Sequence, residues 1–163
     1  MPMWTTKNKR PKKEHLTEEE TKEKALNLLE YRAHSRKELF DKLRRFSDID
    51  TVNGVLDMLE EAGLIDDETF AFQFAHDAME LKMFGPVRVK RELALRGIDG
   101  DTAENAIWAA EKETGSAEER LAELLERKYK NMLSDEKNRA KVINSLFRLG
   151  YEYDMIKEAL YKL

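Results

Sequence analysis

Residues 85–110 read GPVRVKRELALRGIDGDTAENAIWAA, and the fold turns on this run. Gly85-Pro86 opens a helix with proline at its first position, where the missing N–H costs nothing. Val89 and Leu93, four apart, face inward, and Gly97-Ile98 closes the helix. Asp101 with Glu104 caps the next one, whose apolar stripe is Ala103, Ala106, Ile107 and Ala110. The pattern then returns: Val89, Leu93, Gly97, Ala103 and Ile107 reappear 53 residues later as Val142, Leu146, Gly150, Ile156 and Leu160. Leu39 and Leu43 precede Val89 and Leu93 by 50. A period near 50 suits a three-helix module. Modules of that size bury little surface alone, so each leans on its neighbour, and the expected architecture is an elongated, curved array.

Working outward, the same grammar covers the chain. Thr17 with Glu20 has capping-box spacing and opens a helix carrying Ala25, Leu28 and Leu29 that ends near His34. Ser35 with Glu38 opens the next, with Leu39 and Leu43 inward. Ser47-Asp48-Ile49-Asp50 reads as a loop before a helix marked by Val52, Val55, Leu56 and Leu59, which ends at Gly63 with Leu64 as the accompanying apolar contact. Asp66 or Asp67 caps a helix carrying Phe70, Phe74, Ala78 and Leu81, and Ser116 with Glu119 starts the last triplet. The fold class is therefore all-α, three tandem three-helix, helix-turn-helix-like repeats. Their expected bounds are 16–65, 66–114 and 115–163, after a basic, flexible tail over 1–15.

Composition agrees. The 163 residues are 41% hydrophobic and 38% charged, and only 7 Gly and 3 Pro punctuate them, which argues against sheets joined by many turns. With Cys at 0 there is no disulfide framework, thiolate nucleophile or cysteine-bound zinc. No long apolar run and no apolar leader occur, so a cytoplasmic monomer without membrane contact is expected.

Catalysis finds no footing in the sequence. His15, His34 and His76 lie in separate segments, and no Gly-x-Ser-x-Gly or phosphate-loop pattern occurs. Asp66-Asp67-Glu68 is better read as a helix cap than as a metal cluster. The expectation is a protein that is not an enzyme and uses no cofactor and no metal.

Charge is sorted by helix rank. The net charge is -4, yet the first fifteen residues carry about +4 and the remainder about -8. Second helices are basic: Arg36, Lys37, Lys42 and Arg44 in the first repeat, Arg88, Lys90 and Arg91 in the second, Arg139, Lys141 and Arg148 in the third. Third helices are mostly acidic, with Asp57, Glu60 and Glu61 in the first repeat and Asp101, Glu104, Glu111 and Glu113 in the second, so phosphate repulsion argues against their reading DNA as a helix-turn-helix would. Arg36, Lys37 and Arg88 stand in first helical turns, where the dipole repels them by a few tenths of a kcal/mol each. Stability alone does not call for cations there, and such a start suits a phosphate or a partner's carboxylate. Trp108, Tyr151, Tyr153 and Tyr161 are expected to pack within modules rather than to stack on bases.

Three blocks carry a family resemblance: Ala25 to Leu39 (ALNLLEYRAHSRKEL), Leu59 to Ala71 (LEEAGLIDDETFA) and Gly85 to Leu93 running on through Arg96-Gly97-Ile98. In this order and spacing they resemble the bacterial regulatory protein RecX family, and the likeness continues more loosely through Leu146 to Tyr151. The resemblance implies three tandem three-helix repeats that bind the RecA filament and restrain its ATP hydrolysis and strand exchange in recombination and DNA repair. RecA is then the main partner, with single- or double-stranded DNA a weaker one. The alternative, from a different class, is a non-sequence-specific DNA-binding helical-repeat protein acting without RecA.

Overall fold

A computed structural model of the chain describes residues 14–163. The predicted basic tail falls, for residues 1–13, outside the described residues. Among the described residues the helices are α1 (Glu18–Tyr31), α2 (Arg36–Leu43), α3 (Ile49–Glu61), α4 (Asp67–Lys82), α5 (Pro86–Leu95), α6 (Gly100–Thr114), α7 (Ala117–Leu124), α8 (Glu136–Leu149) and α9 (Tyr153–Tyr161). A π-turn at Leu125–Tyr129 and a 3₁₀ turn at Lys130–Met132 prolong α7, and no strand occurs among the described residues.

The helix starts are set locally. Thr17 and Glu20 form a reciprocal capping box, as do Ser116 and Glu119. Ser35 and Glu38 do the same, each backbone N–H donating to the other's side chain. Asp48, Asp66 and Asp99 cap α3, α4 and α6, each accepting from a threonine three residues on, Thr51, Thr69 and Thr102. Three expectations are corrected here. Ile49 and Asp50 belong to α3 rather than to a loop. The α6 cap is Asp99 and not Asp101, because Thr102 supplies both a backbone N–H and a hydroxyl at the right offset. After Gly63 the buried residue is Ile65, while Leu64 is 53% exposed.

The described chain divides into two compact units. The first holds the described residues up to His34 together with Leu39–Ile65; the second holds Ser35–Glu38 and Asp66–Leu163. In the first unit α1 packs on α3 around Ala25, Leu39, Leu43, Val52, Leu56 and Leu59. In the second, α4 packs on α6 and α7 on α9, so that first and third helices pair in each triplet. Two apolar clusters result, one centred on Met79, Val89 and Leu93 and one on Leu121, Leu146, Tyr151 and Ile156. Along α4 the inward side runs through Phe70, Ala71, Ala75, Ala78 and Met79, whereas Leu81 is largely exposed.

Within the second unit the two triplets meet backbone to backbone. The start of α5 abuts the end of α8: the Gly85 N–H donates to Leu149 O at 2.7 Å and the Val87 N–H to Gly150 O at 3.1 Å. Any side chain on Gly85 would overlap the Gly150 carbonyl, and Gly150 itself has φ +102 with Arg88 packed against its α-carbon. An equivalent contact lies elsewhere in the same unit, where Ser35 Oγ donates to Arg96 O at 2.7 Å. In the first unit the corresponding carbonyl, that of Phe46, accepts from the Leu16 N–H at 2.9 Å. Phe46, Arg96 and Leu149 are 50 and 53 residues apart, the periods of the sequence repeat.

Two tests follow from this geometry. Gly85→Ala should lose about 1–3 kcal/mol or more in urea denaturation, because the clash is with backbone. Gly54→Ala, in α3 with nothing within 4 Å, should instead gain up to about 1 kcal/mol. The Asp48 carboxyl is held below its ordinary value of 3.8 by the backbone and then the hydroxyl of Thr51. Asp66 is lowered by the hydroxyl and then the backbone of Thr69, and Asp99 by the backbone and then the hydroxyl of Thr102. Lowered folded values mean the caps contribute fully above the unfolded value and fade as pH falls through the folded ones. The triple variant Asp48→Asn, Asp66→Asn, Asp99→Asn should therefore show a shallower loss of stability between about pH 4 and pH 2 than the parent.

Candidate functional site

Among the described residues no group of His, Asp and Glu could hold a metal ion, and no helix is long and apolar enough to cross a membrane. What the chain presents instead is charge on its second helices, and the ten predicted cations fall into different environments.

In the first unit, Lys42 is half-buried and its ammonium donates to Nε2 of the buried His34 at 2.9 Å. Arg44 is exposed and pairs with Asp41 at 3.8 Å. In the second unit, the Arg36 backbone N–H donates to Asp67 Oδ1 at 2.9 Å, and the Lys37 stem lies against Gly97. The N-terminus of α2 is thus already served by a carboxylate of the chain, where the sequence implied a vacancy for an external anion. The start of α5 is served likewise, by the carbonyls of Leu149 and Gly150.

Arg88 explains its own position. Its guanidinium lies 3.9 Å from the Phe84 ring centroid, reaches Glu92 at 3.8 Å and donates to Arg148 O at 3.2 Å. Although it stands at the positive end of α5, it also stands at the carbonyl-rich, negative end of α8. The expectation that stability would not place a cation there is corrected: the second helix end supplies the attraction. Arg96 plays a related part, paired with Glu92 at 3.0 Å and Glu38 at 3.6 Å while covering the Phe74 ring at 4.4 Å. Lys90 is bound to Glu104.

The remaining predicted cations are Arg91 on α5 and Arg139, Lys141 and Arg148 on α8. All four are exposed and carry no side-chain ion pair among the described residues. Their charge is available to a partner without breaking an internal contact. Sequence periodicity separates exposed from buried positions, but it cannot separate these four from Arg88 and Lys90, each of which has a partner 14 or more residues away.

Tyr151 is buried, as expected, and its hydroxyl donates to Met83 O at 2.8 Å. Burial pushes its pKa up, and the neighbouring Arg120 opposes the shift. Trp108, Tyr153 and Tyr161 depart from expectation and are exposed, Trp108 by 63%. Their places on α6 and α9 turn them out of the modules they were expected to fill. Arg120 is buried; it donates to Gly115 O, and its Nε finds no hydrogen-bond partner.

These features define a class: an all-helical protein of three tandem three-helix domains that presents exposed cations on its second helices and shows no catalytic constellation among its described residues. The comparisons sharpen this. The descriptions "RecX, first three-helix domain", "RecX, second three-helix domain" and "RecX, third three-helix domain" match residues 22–57, 66–107 and 116–160. Regulatory protein RecX of Thermotoga maritima is 35% identical over 162 residues, covering 98% of this chain and 94% of that protein. The protein of the same name from Clostridioides difficile is 30% identical over 144 residues, 87% of this chain and 67% of its own. The crystal structure of RecX from Lactobacillus salivarius superposes with a TM-score of 0.76 at 29% identity, over 90% of this chain and 96% of that one. The chain belongs to the RecX family of regulatory proteins.

The different duties of neighbouring arginines can be separated by experiment. Arg88→Gln should lower stability by about 1–3 kcal/mol in urea denaturation, since a charged hydrogen bond and a ring contact are lost together. Arg91→Gln should stay within about 0.5 kcal/mol of the parent.

Proposed function

We propose that this protein binds the RecA recombinase filament and lowers its ATPase and strand-exchange activity in recombination and DNA repair. Membership of the RecX family supports the reading, and the observation that carries it to particular residues is the set of exposed cations Arg91, Arg139, Lys141 and Arg148 on α5 and α8, which have no ion pair among the described residues. Lys37 and Arg44 add exposed charge. Arg36, Lys42, Arg88 and Lys90 add to the field while holding local structure. The acceptors on the partner are carboxylates of RecA or phosphates of the DNA it coats, either of which a guanidinium engages with paired hydrogen bonds.

A chain of net charge -4 gains little from the phosphate backbone as a whole. Affinity is therefore assigned to the protein filament, and naked DNA is the weaker ligand. Several modest contacts along one chain reinforce each other, because binding of one raises the effective concentration of the next.

The test is a titration of RecA ATPase on single-stranded DNA. The parent should depress hydrolysis in a saturable manner, and the variant carrying Arg91→Glu, Arg139→Glu, Lys141→Glu and Arg148→Glu should need at least roughly tenfold more protein for the same effect. Its circular dichroism should match the parent's. Unchanged hydrolysis at saturating parent protein would exclude the reading, and salt-sensitive binding to naked DNA as tight as to the filament would replace it with the DNA-binding alternative.

A further inference from the structure

In the second unit, α5, α6 and the residue before α9 enclose an open groove of about 270 Å³. Val87, Ile107 and Trp108 give it an apolar wall, and Glu104, Glu111 and Glu152 line its edge. Trp108 is 63% exposed and Val87 46%, so a large apolar surface stands in water at a concave place. Scattered single apolar residues need no explanation, but an indole lining a groove is a typical anchor for a partner.

The charges say which partner. Lys90, the one cation of the lining, is held by Glu104. Glu152 caps α9 without a side-chain cap hydrogen bond and has no ion pair among the described residues. Glu111 faces the buried Arg120 at 3.9 Å, and burial raises its pKa against the pull of that cation and of the Ala117 backbone N–H. The lining of the groove therefore carries three carboxylates to one cation, and Glu152 is the one of the three with no ion pair among the described residues. A nucleotide stacked on Trp108 would bring its phosphate up to these carboxylates, so a base is a poor occupant. A cation with an apolar stem fits both wall and edge. The chain already shows the pairing in miniature: Lys112 Nζ lies 3.3 Å from the Trp108 ring centroid.

We propose that this groove receives an arginine side chain of a partner protein, its stem along Val87 and Trp108 and its guanidinium on Glu111 and Glu152. Arginine suits the site better than lysine because its planar head both stacks on an aromatic ring and forks onto carboxylates. The inference rests on the RecA reading only for the partner's name; the chemistry of the groove stands apart from it.

The full chain carrying Trp4→Phe leaves Trp108 as its only indole, and its fluorescence reports on the groove. The probe is the peptide acetyl-Ala-Leu-Arg-Leu-Ala-amide, with the same peptide bearing neutral citrulline as control. The arginine peptide should produce a saturable change with a Kd on the order of 1 mM. The Glu152→Gln variant should bind it several-fold more weakly while melting like the parent, and the citrulline peptide should not saturate. No saturation by the arginine peptide up to about 10 mM, or an equal response to citrulline, would overturn the proposal. Saturation by the peptide together with failure of the whole protein to bind RecA would uphold the groove and overturn the RecA assignment instead.

Discussion

The carbonyl groups that end the second helices must find donors, and the way they find them organises the second unit. A helix leaves its last carbonyls without partners, and burying them unsatisfied would cost on the order of 1–3 kcal/mol apiece. Here the donors come from the start of another second helix or from the residue just ahead of it: Gly85 for Leu149, and Ser35 for Arg96. Satisfying the end of α8 this way requires two backbones to approach within hydrogen-bonding distance, which only a glycine at position 85 permits. The positive pole of α5 is thereby set against the negative pole of α8, and Arg88 adds its own charge to the junction. Core packing, helix polarity and the odd position of that arginine are one arrangement seen three ways.

Much of this architecture was readable from residues close together in the chain, and the exceptions have a common cause. Thr17 with Glu20, Ser35 with Glu38 and Ser116 with Glu119 announce helix starts because a capping box is closed by residues three apart. Asp99 and Asp101 stand two apart at the start of α6, one as its cap and one inside its first turn, and only Thr102, three beyond Asp99, breaks the tie. Leu81 continues the spacing of α4 but lies off the inward side that runs through Ala75, Ala78 and Met79, so its spacing outlasts its burial. Gly85 with Gly150 and Arg88 with Arg148 are about sixty residues apart, and nothing local foretells them.

The candidate surface was legible to the same degree. Residue type locates the basic helices, because cations are seldom buried and periodicity tells inside from outside. It could not tell a cation that serves the fold from one left over for a partner. Arg88 and Arg91 are three residues apart on one helix, yet one is held against Phe84, Glu92 and the end of α8 while the other has no ion pair among the described residues. Trp108 illustrates the converse, an aromatic whose chemistry predicts burial and whose position denies it.

Met83 carries one more consequence. It is the only non-glycine among the described residues with a left-handed backbone, at φ 56, a conformation that costs a side-chain-bearing residue about 1 kcal/mol or more. The strain is tolerated because its carbonyl receives the Tyr151 hydroxyl and its side chain packs into the cluster built by α7, α8 and α9. A residue that ends the first helix of one triplet thus packs against the core of the next, so neither can loosen without stripping the other of contacts. Heat should take the second and third triplets apart in a single cooperative transition.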